Sequence, residues 1–247
     1  MKKLILFLLT LLVGSLFAAD LTVGEIIKKV DANERVESSY STGKQIIETT
    51  TGDTRTLEME TYSKDMNDKQ LMVYTSPGRV KGDKILLLDD GNEIWYFTPK
   101  TDRVRHLASH ARKRKVQGSD FSYDDLSAGD LAKENDCKLL GKDNIDGREC
   151  YKIELIPLPN GTHYSKMIVW ADTERFVTLR IDYYEDGDLT KRLKMTNVEF
   201  IDDRWVAKKM VMTNLLDGGQ TVMQIDTIEF GKKLDDSLFT TNSLKRH

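Results

Sequence analysis

Along most of the chain, apolar and polar residues alternate with a period of two, in runs broken at short intervals by Asp, Asn and Gly. Each run can bury one face of an extended segment and leave the other in water, so each predicts a β-strand. The strands fall near 39–50, 54–66, 69–76, 84–88, 93–97, 135–145, 148–156, 163–171, 176–184, 189–201, 205–215 and 219–230. Gly52-Asp53, Asn67-Asp68, Asp146-Gly147, Asp186-Gly187 and Asp202-Asp203 stand between them at hairpin spacing. A helical period occurs near the start. Thr22 and Glu25 have the spacing of a capping box, and Ile26, Ile27 and Val30 then share one face of a helix reaching about Arg35. Asp235-Asp236-Ser237 predicts the cap of a short final helix holding Leu238 and Phe239.

Eleven to twelve antiparallel strands with one or two helices imply a mainly β meander. A meander this large curls or closes to hide its edges. The N-terminal helix and one central insertion are too small to fill the inside, so a cavity with an apolar occupant is expected. Met59, Met72, Met167, Met195, Met210, Met212 and Met223 fall in strands. Methionine is an adaptable side chain, so these residues are either core filling or the lining of such a cavity.

The central insertion follows an aromatic strand, Ile94-Trp95-Tyr96-Phe97, that stops before Pro99. A basic run from Arg103 to Lys115 comes next, then Gln117-Gly118-Ser119-Asp120-Phe121-Ser122-Tyr123-Asp124-Asp125-Leu126. The run gathers His, Ser, Asp and aromatics as an active site does, but its spacing supports no reaction. His106 and His110 have the i, i+4 separation of a helical metal pair but no third ligand, and Arg103, Arg105, Arg112 and Lys113 would repel a cation. Ser119 lacks the flanking glycines of a nucleophile elbow. Asp120 and Asp124 read as caps at a turn and helix start, not as catalysts. No phosphate-binding or dinucleotide motif is present, so neither an enzyme nor a cofactor or metal is expected. Arg112, Lys113, Arg114 and Lys115 read as a solvated loop or as a surface for a membrane or partner, not for nucleic acid.

The first residues fit an export signal over 1–19: Lys2 and Lys3, an apolar run from Leu4 to Val13, and small residues allowing cleavage after Ala18 or Ala19. Removing Lys2 and Lys3 shifts the formal net charge from −3 to −5. About 228 residues then remain, and four prolines with no Ser/Gly-rich linker point to one domain over 20–247. An oxidising compartment permits a Cys137–Cys150 disulfide. A turn at Asp146-Gly147 opposes it, because that register sets Cys150 against Asp143 and Cys137 against Ile156, about 20 Å away.

The order Lys81-Gly82…Leu86-Leu87-Leu88…Ile94-Trp95-Tyr96-Phe97-Thr98-Pro99…Gly118-Ser119-Asp120-Phe121-Ser122-Tyr123-Asp124-Asp125-Leu126 resembles the LolA-like family of bacterial outer-membrane lipoprotein-sorting proteins. The resemblance is to the branch with a W-x-Y-x-P…G-S-D-F-S-Y-x-D-L signature. It implies a half-open antiparallel β-barrel of about eleven strands, with a few short helices over its concave side, that holds acyl chains. It further implies a periplasmic, monomeric carrier taking a lipoprotein or lipid toward the outer membrane, with transient membrane contact and an inner-membrane exporter of the resistance-nodulation-division type as partner. The alternative is an envelope adaptor or sensor that docks on such an exporter without carrying lipid. On this reading Trp95, Phe97, Phe121, Met195, Met210 and Met212 contact the acyl chains. Gly118, Ser119, Asp120, Asp124 and Leu126 build the segment over the open side, and Arg112 to Lys115 dock.

Overall fold

The computed structural model describes residues 21–127, 130–159 and 161–246. The expected export signal lies outside these residues. Helix α1 (Val23–Glu34) starts at the predicted capping box: Thr22 Oγ1 accepts from the Glu25 N–H, and the Glu25 carboxylate accepts from the Thr22 N–H at 2.8 Å. Ile26, Ile27 and Val30 are buried beneath it.

Thirteen strands follow: β1 (Ser38–Glu48), β2 (Thr54–Lys64), β3 (Lys69–Ser76), β4 (Lys84–Leu88), β5 (Glu93–Thr98), β6 (Arg103–His106), β7 (Asn135–Ile145), β8 (Arg148–Pro157), β9 (Lys166–Asp172), β10 (Thr178–Glu185), β11 (Asp188–Ile201), β12 (Arg204–Asn214) and β13 (Gln220–Phe230). A four-residue helix, α2 (Leu131–Glu134), precedes β7. The sheet is antiparallel hairpins, as the alternation predicts, and it has thirteen strands where the alternation marks twelve and the family resemblance implies about eleven. The strand the alternation misses is β6. It lies at an edge, is largely exposed and carries two arginines and a histidine, so no apolar alternation announces it.

The strand order is β6-β5-β4-β3-β2-β1-β13-β12-β11-β10-β9-β8-β7. Every strand lies beside its chain neighbour, except that β1 pairs with β13 and β6 does not meet β7. The first and last strands are therefore joined in mid-sheet, and the free edges lie in mid-chain. The sheet curls without closing, the half-open barrel expected. The described residues between β6 and β7 run from one free edge to the other, across the mouth.

Two covers divide the concave side. Ile26 and Ile27 of α1 pack on Ile153, Leu155 and Val169 of β8 and β9. Val116 and Phe121 of the crossing segment pack on Leu57, Met72, Ile85 and Met212 of the other half. The convex side is covered in part by the chain's end, where Leu234, Phe239 and Leu244 pack on Leu71, Leu86 and Phe97. The final predicted helix is there as a single 3-10 turn, Asp236–Phe239, with Asp235 as its cap.

Cys137 and Cys150 are free thiols. The hairpin turns at Asp146-Gly147, pairing Ile145 with Arg148 and Asp143 with Cys150. A bulge between Leu139 and Gly141 moves Cys137 one place, opposite Leu155 rather than Ile156.

Candidate functional site

Between the two covers lies a cavity of about 700 Å³, within the ~300–1,000 Å³ usual for small-ligand sites. Its floor is apolar and rich in methionine. Met195, Met210 and Met223 sit side by side on β11, β12 and β13, and Met59, Met72 and Met167 join them from β2, β3 and β9. Near this floor Gly43 marks a bulge in the β1–β13 pairing. A side chain there would meet the Gln224 carbonyl at 2.3 Å, so only glycine lets the two backbones approach.

The expected contact residues divide by strand face. Phe121, Met195 and Met210 line the cavity. Met212 shares the inner face of β12 but is fully buried, opposite Thr221 and in the core that the crossing segment covers. Trp95 and Phe97 require a correction: both face the convex side, in the cluster with Leu71, Leu86 and the chain's end. Their neighbours Ile94 and Tyr96 are the inward pair. A strand covered on both faces reads as an unbroken apolar run, so its sequence does not show which residues face inward.

The segment from Gly118 to Leu126 is pinned to the barrel by three carboxylates. Asp120 accepts from the Thr221 hydroxyl of β13 at 2.8 Å, while its own N–H donates to that hydroxyl oxygen at 2.9 Å. Gly219 lies so close that a Cβ there would sit 2.7 Å from Asp120 Oδ1. Asp124 meets the ring Nδ1 of His163 at 2.6 Å and Arg112 Nε at 2.7 Å, the latter an ion pair whose N–H is not aimed at the oxygen. Burial raises the Asp124 carboxyl, but the His163 hydrogen bond and the Arg112 charge outweigh it and hold the group below its ordinary range. Asp125 accepts from the Tyr164 hydroxyl at 2.6 Å and from Lys191 Nζ at 3.0 Å. Burial, followed by the Asp125 charge, pushes the Tyr164 hydroxyl far above its ordinary value.

Asp120 and Asp124 are thus tertiary anchors rather than helix caps. The cap-like role falls to Asp125, which accepts from the Ser122 N–H and hydroxyl at 2.7 and 2.8 Å. Ser119 is buried, and its hydroxyl donates to the Phe121 carbonyl. Gly118 takes a φ of +75° that favours glycine, and Leu126 packs partly buried against the core.

Of the four basic residues expected at a docking surface, Lys113, Arg114 and Lys115 are exposed. Lys115 bridges Asp217 and Asp120, at 2.9 and 3.3 Å. Arg112 is the exception, because its pairing with Asp124 takes it into the cavity wall. His106 and His110 do not share a helix. His106 ends β6, pairs with Glu93 at 2.7 Å and lies on Trp95, whereas His110 is in a 3-10 turn.

The cavity also has a polar end that the apolar pattern concealed. Asp31 and Glu34 of α1, Arg35, Glu134 of α2 and Asn135 line it. A sequence signal for it exists. Asp31 and Glu34 lie four residues beyond Ile27 and Val30, so acids occupy the last turn of the helix's apolar stripe. They also sit at the C-terminal end of the helix dipole, where negative charge is disfavoured, and the last turn holds no basic residue.

A curled, unclosed sheet with a segment across its mouth and an apolar cavity beneath defines a protein of the half-open-barrel class. A protein-family profile described as an uncharacterized protein matches residues 66–246, and the chain belongs to that family. Among solved structures, a domain described as an outer membrane lipoprotein-sorting protein, from Vibrio parahaemolyticus, is 26% identical. It superposes with a TM-score of 0.83 over 90% of this chain and 97% of its own. A DUF1329 family protein from Desulfovibrio piger is 27% identical, with a TM-score of 0.83 over 89% of this chain and 96% of its own. A LolA superfamily protein from Nitrosomonas europaea, 20% identical, shares the fold with a TM-score of 0.77 over 91% of this chain and all of its own (100%). These neighbours agree with the LolA-like resemblance in the sequence. An uncharacterized protein of Methanocaldococcus jannaschii is 27% identical over 208 residues, and the match spans 82% of this chain but 57% of that relative's length.

Proposed function

We propose that this protein is a periplasmic carrier that shelters the acyl chains of a lipoprotein or lipid and moves them toward the outer membrane. The observation that carries the reading is the methionine-lined cavity between α1 and the crossing segment. At ~0.8 kcal/mol per CH₂, one sixteen-carbon chain costs on the order of 12 kcal/mol to hold in water. At ~25 cal/mol per Å², offsetting that takes roughly 500 Å² of apolar burial. Burial on that scale needs a cavity that encloses the chain rather than a shallow surface groove, and the space between the covers is about 700 Å³. Methionine suits a cargo that must also leave, because its flexible side chain repacks around chains of different shape. Lys113, Arg114 and Lys115 are the proposed surface for transient contact with the membrane or with an inner-membrane exporter.

The test is whether protein purified from its native envelope yields lipid or acylated peptide on extraction and mass spectrometry, and whether stripped protein takes up a fluorescent acyl probe. Met210→Trp, which fills the floor, is expected to reduce probe uptake at least tenfold. Stripped, folded protein that takes up no acyl probe would overturn the reading.

A further inference from the structure

The polar end of the cavity differs from an ordinary charged rim in holding more acids than cations: among the described residues its Arg35 is paired with Asp90, and three carboxylates beside it have no ion pair. The other charges of the wall are matched: Arg35 with Asp90 at 2.7 Å, Arg112 with Asp124 at 2.7 Å, and Lys191 with Asp125 at 3.0 Å. Asp31, Glu34 and Glu134 have no ion-pair partner within 4 Å among the described residues. Glu34 is an exposed residue that lines the cavity, with Oε1 accepting from the Thr178 N–H at 2.9 Å. Burial raises all three carboxyls. Asp130 and Glu34 add to the effect at Asp31 and Asp90 adds to it at Glu134, while Arg35 opposes it at both and Arg112 at Glu134, without cancelling it. The protein therefore holds surplus negative charge in a place that disfavours it.

Two further observations point to a ligand. Asn135 is only 7% exposed and lines the same end; its Nδ2 donates to the Leu131 carbonyl at 3.1 Å, but its buried Oδ1 has no partner among the described residues. Arg35 likewise leaves a buried Nη1 unpartnered beside its pairing with Asp90. An orphaned buried acceptor and donor are each costly unless something fills the site. Among the described residues no group of three His, Cys, Asp or Glu side chains converges closely enough for a metal ion. The fitting cation is consequently a larger, hydrogen-bonding one, and the apolar floor next to it requires that it be attached to a chain.

We infer that the α1–α2 end of the cavity is a headgroup subsite for an amine-bearing phospholipid. Its ammonium lies among Asp31, Glu34 and Glu134 and donates to Asn135 Oδ1, and its phosphate accepts from Arg35. The inference rests on the acyl-carrier reading and adds selectivity to it: the floor takes any chain, and the polar end chooses the head.

The experiment compares three probes of equal chain length on stripped full-length protein by calorimetry: lysophosphatidylethanolamine, lysophosphatidylglycerol and an uncharged fatty alcohol. The ethanolamine lipid is expected to bind at least tenfold more tightly than the glycerol lipid. In Glu34→Gln/Glu134→Gln protein that ratio is expected to fall to about one, with fatty-alcohol binding unchanged. Arg35→Gln is expected to weaken both phospholipids and spare the alcohol. Equal affinity of the wild-type protein for the two phospholipids, with the alcohol bound, overturns the headgroup subsite and leaves the carrier reading standing. Failure of all three probes to bind overturns both.

Discussion

The two covers over the concave sheet are held in opposite ways. The crossing segment is fastened by polar groups: the side chains of Asp120, Asp124 and Asp125 are all buried in contact with a hydroxyl, an imidazole, an arginine or a lysine. Helix α1 is fastened by Ile26, Ile27 and Val30, while its own acids, Asp31 and Glu34, face the cavity with no ion pair among the described residues. The same residue type thus does two jobs. Paired, a carboxylate fixes a segment in one place; unpaired, it stores a preference for something absent from the chain. Position in sequence does not distinguish the two cases, but the partners do.

The largest test of this contrast is Asp125→Ala. It leaves Lys191 buried without its counter-charge and Tyr164 without its acceptor, and truncating one member of a buried pair costs about 3–5 kcal/mol. A urea unfolding midpoint lowered to match is expected. An effect near zero would mean that the crossing segment is not clasped. Thr221→Val removes the hydroxyl that both accepts from and donates to Asp120, and about 1–3 kcal/mol is expected from the same measurement. The smallest effect has the opposite sign. Asp31 is raised from its ordinary 3.8 to about 6, by burial first and then by Asp130 and Glu34. Folding therefore favours its protonated form, a contribution complete below about pH 4 and lost as pH rises through 6. Asp31→Asn is expected to stabilise the protein above pH 6 by about 1 kcal/mol, allowing for solvent screening of a half-exposed group, and to change nothing below pH 4. Asp124, held below its ordinary range, contributes the other way, and its share of the clasp is lost as pH falls.

Much of the scaffold was legible because turn chemistry and alternation agree. Asp146-Gly147 and Asp186-Gly187 place hairpins where the apolar period breaks. Strand β6 was not legible, since Arg103, Arg105 and His106 at a sheet edge need no apolar face. Facing direction was lost wherever both faces are covered, as at Trp95 and Phe97. The carboxylate clasp was hidden for another reason: Asp120 meets Thr221 and Asp125 meets Lys191 only after the sheet has curled. Asp31 and Glu34 did leave a trace in the helical stripe, as acids where apolar residues were due.

The order of the strands also bears on how the molecule comes together. Strands β1–β6 and β7–β13 are two runs of neighbouring hairpins, each able to form from local contacts, which is fast. The β1–β13 pairing, with Tyr40 opposite Glu229, closes a loop of nearly the whole chain and carries the corresponding entropic penalty. The crossing segment spans this late seam, with Gly118 accepting from Arg55 on β2 and Asp120 bonded to Thr221 on β13. It acts as a rivet that sets once the two halves have met, so loosening it and parting the halves should be one cooperative event.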